Sequence, residues 1–138
     1  MPIPAKLLVV ALGLLPLVGQ AQTLPPCPDS PNCVSSEDTR EDHKVEPLNA
    51  GTDAASARDN LLAVLTSTPR VTWQAEGEQI IRAQFTSAVF RFVDDVQFVI
   101  LEDGSVQVRS ASRIGYWDLG ANRRRVEDLR EALANPQP

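Results

Sequence analysis

At 138 residues the chain is long enough for one domain and short for two. Its 13 basic and 18 acidic residues leave a net charge of −5. That excludes a non-specific nucleic-acid binder, which needs a basic face to displace counterions. The basic residues are nearly all arginine, with Lys6 and Lys44 the only lysines. A planar guanidinium suits bidentate pairing with carboxylate or phosphate, so clustered arginines are informative.

The first segment predicts export. Lys6 precedes an unbroken apolar run over residues 7–18, and Gly19-Gln20-Ala21 places small residues where signal peptidase requires them. The expectation is a cleavable secretory signal peptide over 1–21 and a periplasmic or secreted mature chain beginning near Gln22. The run is shorter than the roughly 20 residues that span a bilayer. Pro26 directly before Cys27 argues against lipid attachment there, so no stable membrane anchor is expected after cleavage.

Residues 22–52 show no periodicity and are rich in proline and acidic side chains, which predicts an irregular N-terminal arm. Within it, an oxidising compartment favours a local disulfide between Cys27 and Cys33. A metal site using both thiols and His43 would still lack a fourth ligand, and a redox pair needs Cys-x-x-Cys spacing. No metal or cofactor is expected.

An α+β domain is predicted over 53–138. Thr52 or Asp53 caps a helix over about 54–67, whose Ala57, Leu61, Val64 and Leu65 form one apolar stripe, and Pro69 ends it. Strand signals follow at 71–75, 79–85, 93–101 and 106–112, with Asp103-Gly104 turning the last pair. A closing helix runs from about Ala121 to Ala134, with Leu119, Val126, Leu129 and Leu133 as its buried stripe. Consecutive strands between two helices predict an antiparallel sheet of about four strands packed against both helices.

Polar chemistry concentrates at one end of that sheet. A hairpin tip at Asp103-Gly104 brings Asp94 and Asp95 close to Ser112 and Arg113, with Tyr116-Trp117-Asp118-Leu119 and the second helix following at once. The candidate ligand-binding residues are Arg109, Arg113, Asp118, Asn122 and Arg123, organised by Asp94 and Asp95. An ion-pair scaffold, an anion site at the helix start and an acid–base site compete for this cluster. Adjacent aspartates on a strand point to opposite faces and make a poor catalytic dyad. Ser110 and Ser112 have no histidine base nearby in sequence, His43 being in the arm. The favoured function is non-catalytic binding of a small anionic ligand or a protein partner at the envelope. An enzyme using the same carboxylates and arginines, or a structural accessory of an envelope complex, is the alternative.

Four blocks in order carry a resemblance: Cys27 to Ser36, Val45 to Leu48, Phe90 to Val96, and Arg109 to Tyr116 continuing through Asp118 to Arg125. Over 27–134 the chain resembles a family of exported bacterial proteins, domain of unknown function 1499 (DUF1499). Trp117 stands where the resemblance leads one to expect a small polar residue. It implies an exported or membrane-attached protein and marks the blocks as characteristic, without supplying an activity, substrate or cofactor.

Overall fold

The computed structural model describes residues 24–136, with Gly13 as an isolated position. The signal peptide expected over 1–21 lies, apart from that one position, outside the described residues. In chain order the elements are β1 (Cys33–Ser35), β2 (Leu48–Asn49), α1 (Ala54–Ser67), β3 (Val71–Glu76), β4 (Ile80–Thr86), β5 (Val93–Ile100), β6 (Ser105–Ser112) and α2 (Ala121–Ala134). The fold is α+β. Its antiparallel sheet runs β1-β6-β5-β4-β3, and β2 also pairs with β6.

The sheet therefore has six strands, not about four. The two extra ones come from the segment expected to be irregular. β1 pairs with the end of β6, Cys33 opposite Ala111, and β2 with its start, Leu48 opposite Val106. Segments of three and two residues are too short to show a strand period. They form because β6 would otherwise present a row of unpaired backbone groups at the sheet edge. The arm also reaches the interior, since Val34, Val45, Leu48 and Ala50 belong to the same apolar cluster as the helices and the long strands. Gly104 sits with φ at +87° where a Cβ would collide with the Gly51 carbonyl, so only glycine lets the arm cross this hairpin turn.

Both helices cover one face of the sheet. α1 begins in a reciprocal capping box between Asp53 and Ser56 and buries Ala57, Leu61 and Leu65. α2 buries Asn122, Val126 and Leu129. Against them the strands turn Ile81, Phe85, Val96, Phe98, Val106 and Val108 inward, each large side chain contributing about 1.5–3 kcal/mol by burial. Two α2 arginines tie down the arm backbone. Arg123 donates to the carbonyls of Lys44 at 2.8 Å and Asp42 at 3.1 Å, and Arg130 to those of Pro47 at 2.7 Å and Glu46 at 2.9 Å.

Candidate functional site

The β5–β6 register sets the site. Asp94 lies opposite Ser112 and Asp95 opposite Ala111, and the Arg113 N–H donates to the Val93 carbonyl at 3.2 Å. Strand alternation then sends the two aspartates to opposite faces.

Asp94 turns toward the helices and is buried. Its carboxylate accepts from Arg125 Nη2 at 2.6 Å. The same guanidinium donates to Asn122 Oδ1 at 2.8 Å and Ser110 Oγ at 3.2 Å, and stacks 4.9 Å over the Phe85 ring. Asn122, fully buried, is the hub. Its Oδ1 accepts from the Ser110 hydroxyl at 2.7 Å. Its amide nitrogen faces Asp118 Oδ2 at 2.8 Å, Ser112 Oγ at 2.9 Å and the Asn32 carbonyl at 3.1 Å. Asp118 in turn accepts from the backbone N–H of Gly120 at 2.8 Å and of Asn122 at 3.0 Å, capping α2 from outside its first turn. Partial burial pushes the Asp118 carboxyl up. The donors from Asn122 and Gly120 outweigh this and hold it below the ordinary 3.8.

Asp95 turns to the face away from the helices, part of which the start of the arm covers, and there Arg113 grips it with Nε–Oδ2 at 2.8 Å and Nη2–Oδ1 at 2.9 Å. That bond raises the Arg113 pKa further above its ordinary value. Arg109 is also on this face, donating through Nη2 to the Pro26 carbonyl at 3.3 Å, and burial lowers its pKa. Its Nε and the Oε1 of Gln97, its cross-strand partner, are buried without hydrogen bonds.

The sequence-predicted residues thus fall into three groups. Asp94, Asp118 and Asn122 meet under the helices. Asp95, Arg109 and Arg113 lie on the opposite face. Arg123 belongs to the clamp on the arm. Arg125, not singled out from sequence, joins Asp94 to Asn122. The available signal was helical spacing, since it lies three residues after Asn122 and beside the core residue Val126. The two serines hold the Asn122 amide, while His43 is buried with Nδ1 2.9 Å from the Cys33 carbonyl. Cys27 and Cys33 are disulfide-bonded. A cysteine sulfur, an Asp38 oxygen and a His43 nitrogen lie within 4.8 Å of one another. Because that sulfur, of Cys27, is in the disulfide, no thiolate is there to complete a metal site. Asp38 serves the arm instead, its carboxyl lowered to about 2 by the Arg40 side chain.

Above the buried cluster the surface changes character. The β4–β5 loop exposes Val89, Phe90 and Phe92, and the β6–α2 loop exposes Ile114, Tyr116, Trp117 and Leu119. Leu119 was expected on the buried stripe of α2, but it precedes the helix in a left-handed turn that points it to solvent. Both loops leave the sheet at the same end, because Thr86 pairs with Val93 and Asp94 with Ser112. Val89 is 81% exposed, Phe90 75% and Tyr116 71%, values that no core role accounts for. Among the described residues, the three non-glycine positions with left-handed backbone, Arg70, Arg91 and Leu119, have φ of 58°, 58° and 56° and all sit at this end. Each such conformation costs about 1–2 kcal/mol, and strain concentrated in one region is a feature of functional surfaces. This apolar crown was not anticipated as a binding surface. The signal was present in the sequence, as large apolar residues crowded into two turn segments.

A six-stranded antiparallel sheet with two helices on one face and a buried Arg–Asp–Asn network at its end defines the structural class. Residues 23–133 match the family described as protein of unknown function, DUF1499. That is most of the chain, which belongs to this family. No curated protein matches it.

Proposed function

We propose that this chain is an exported, non-catalytic docking module of the cell envelope and that its contact surface is the apolar crown at the arginine-rich end of the sheet. One observation carries the reading: seven large apolar side chains from two separate loops are exposed together. Export is supported by the leader pattern at 1–21 and by the disulfide. Among the described residues, no helix is long and apolar enough to cross a membrane. The buried network beneath the crown holds the β6–α2 loop in place through Asp118, while Ser87 and Phe92 close the β4–β5 loop on itself.

Site-specific photocrosslinking in intact cells tests this. A photoreactive residue at Tyr116 or Phe90 should capture a contact more strongly than one at exposed Glu131 on α2. Equal capture at all three positions removes the crown as a docking surface.

A second reading has its own observation. The unpartnered Arg109 Nε favours a small anionic ligand on the face away from the helices, one that also carries a donor for the unpartnered Gln97 Oε1. Nearby is a depression of about 430 Å³ lined by Leu24, Arg82 and Gln97, while Arg113 and Asp95 flank the arginine. Native mass spectrometry of the protein isolated from its own envelope should then show an added mass that Arg109→Met eliminates. A bare mass rules this reading out.

A further inference from the structure

We propose that the crown docks reversibly on an anionic lipid bilayer, inserting its aromatic loop tips among the headgroups. This rests on the docking reading above and names the partner.

Three features of the surface select a bilayer. The first is composition. The crown carries Phe90, Phe92, Tyr116 and Trp117, and Phe90 and Phe92 stack at 5.7 Å between ring centroids. Tryptophan and tyrosine partition to the headgroup level, where an apolar ring and a polar tip are both accommodated. The second is shape, since the side chains project from two loop tips and are more than half exposed at Val89, Phe90, Ile114, Tyr116, Trp117 and Leu119. Projecting tips suit a penetrable interface better than the flat, closely packed surface of a stable protein complex.

The third is charge. The chain is acidic overall, at −5, yet Arg70, Arg91 and Arg124 stand exposed around the crown. Arg70 donates to the Thr86 carbonyl and Arg124 to that of Leu119, and among the described residues no carboxylate pairs with any of the three. Three of the aspartates nearby are engaged, Asp94 with Arg125, Asp95 with Arg113, and Asp118 with the backbone N–H groups of Gly120 and Asn122, which leaves Asp128 as the exposed carboxylate beside these arginines. Arg70 and Arg124 also line a cavity of about 370 Å³ between the end of α1 and the start of α2, with Arg125 and Asp128. A phosphate headgroup there would meet two guanidiniums whose charge no carboxylate pairs and whose remaining N–H groups are free to donate. Acidic side chains elsewhere repel the same surface, so only this end approaches it.

The test uses the protein as isolated from its envelope, with vesicles of phosphatidylcholine alone or mixed with phosphatidylglycerol. Flotation with the anionic vesicles, weakened by salt and weaker still on neutral ones, is the expected result. In a Trp73→Phe background, Trp117 emission should move to the blue and be quenched by lipids brominated on their chains. Arg91→Ala and Arg124→Ala should each lower partitioning about fivefold. The double variant Phe90→Ser/Trp117→Ser should abolish it while keeping the parent's circular dichroism and melting behaviour. Failure to float with either vesicle overturns the inference, as does flotation that the crown variants leave unchanged. Sedimentation showing that the crown pairs with a second copy overturns it as well. If crosslinking at Tyr116 succeeds while vesicles are ignored, the docking reading stands and the lipid assignment falls.

Discussion

Asp94 and Asp95 are neighbours of the same residue type, each paired with an arginine, yet they occupy different worlds. Asp94 and Arg125 meet at 2.6 Å with side chains only 11% and 16% exposed, inside a network where the partner also serves Asn122 and Ser110. Asp95 and Arg113 form the better two-point geometry, at 2.8 and 2.9 Å, but are 39% and 51% exposed. The difference teaches that position relative to the sheet decides what an ion pair does, and pairing geometry does not. The inner pair cannot lose a member without stranding a charge in the interior, whereas water can replace either member of the outer pair. What applies to the pairs extends to the regions around them. The inner side is closed and satisfied, and the loops above it are open.

The largest effect should come from breaking the inner pair. Arg125→Ala leaves Asp94 buried and unmatched and removes a donor to Asn122, for a loss of about 3–5 kcal/mol in urea unfolding at neutral pH. Restoring neutrality with Asp94→Asn in the same chain should recover part of that loss. A cost below about 1 kcal/mol would mean that water reaches Asp94, and the contrast between the two faces would collapse.

Asp118 sharpens the comparison through pH. Asp118→Ala removes the acceptor for the N–H groups of Gly120 and Asn122 at the start of α2 and should cost about 1–2 kcal/mol, the ordinary value of a helix cap. Its carboxyl is held below 3.8 in the folded chain. The stability it adds is therefore fully present above pH 3.8 and is lost as pH falls through the lower, folded value. Asp38, lowered to about 2, contributes to the same acid slope from the arm. The informative quantity is thus the difference between parent and Asp118→Asn. Urea midpoints of the two should diverge above pH 4 and converge toward pH 2; a constant offset would assign Asp118 no titrating role.

Much of this contrast was legible in the chain. The hydrophobic period placed both helices, and the Asp103-Gly104 turn set the register that brings Asp94 beside Ser112. Alternation separated the two aspartates in advance. The sequence could not show which face the helices cover, so Arg109, Arg113 and Asn122 read as one cluster when they lie on two sides of a sheet. β1 and β2 escaped notice because their stability comes from β6 and not from any pattern of their own. Arg125 was hidden in a run of three arginines whose members have three different jobs: Arg123 clamps the arm, Arg124 faces the crown, and Arg125 closes the network.

On the outer face the expected effect of Arg113→Ala is far smaller, at the margin of detection in urea unfolding, because an exposed pair gains little over its hydration. Measured beside Arg125→Ala under the same conditions, it isolates burial as the variable. Equal losses would show that Arg113 supports the β6–α2 loop and would move it into the inner group.

The smallest stability change belongs to the crown. Trp117→Ser or Phe90→Ser removes a side chain that is 68% or 75% exposed, so unfolding free energies should stay within about 0.5 kcal/mol of the parent. That near-silence carries weight when set beside function. A residue whose removal costs no stability but abolishes photocrosslinking at the neighbouring Tyr116 is there for contact and not for folding. A loss of several kcal/mol in thermal or urea unfolding would instead mean that the two loops pack on each other as a small core of their own. The crown would then be an extension of the closed region beneath it, and the case for docking would have to rest on the arginines alone.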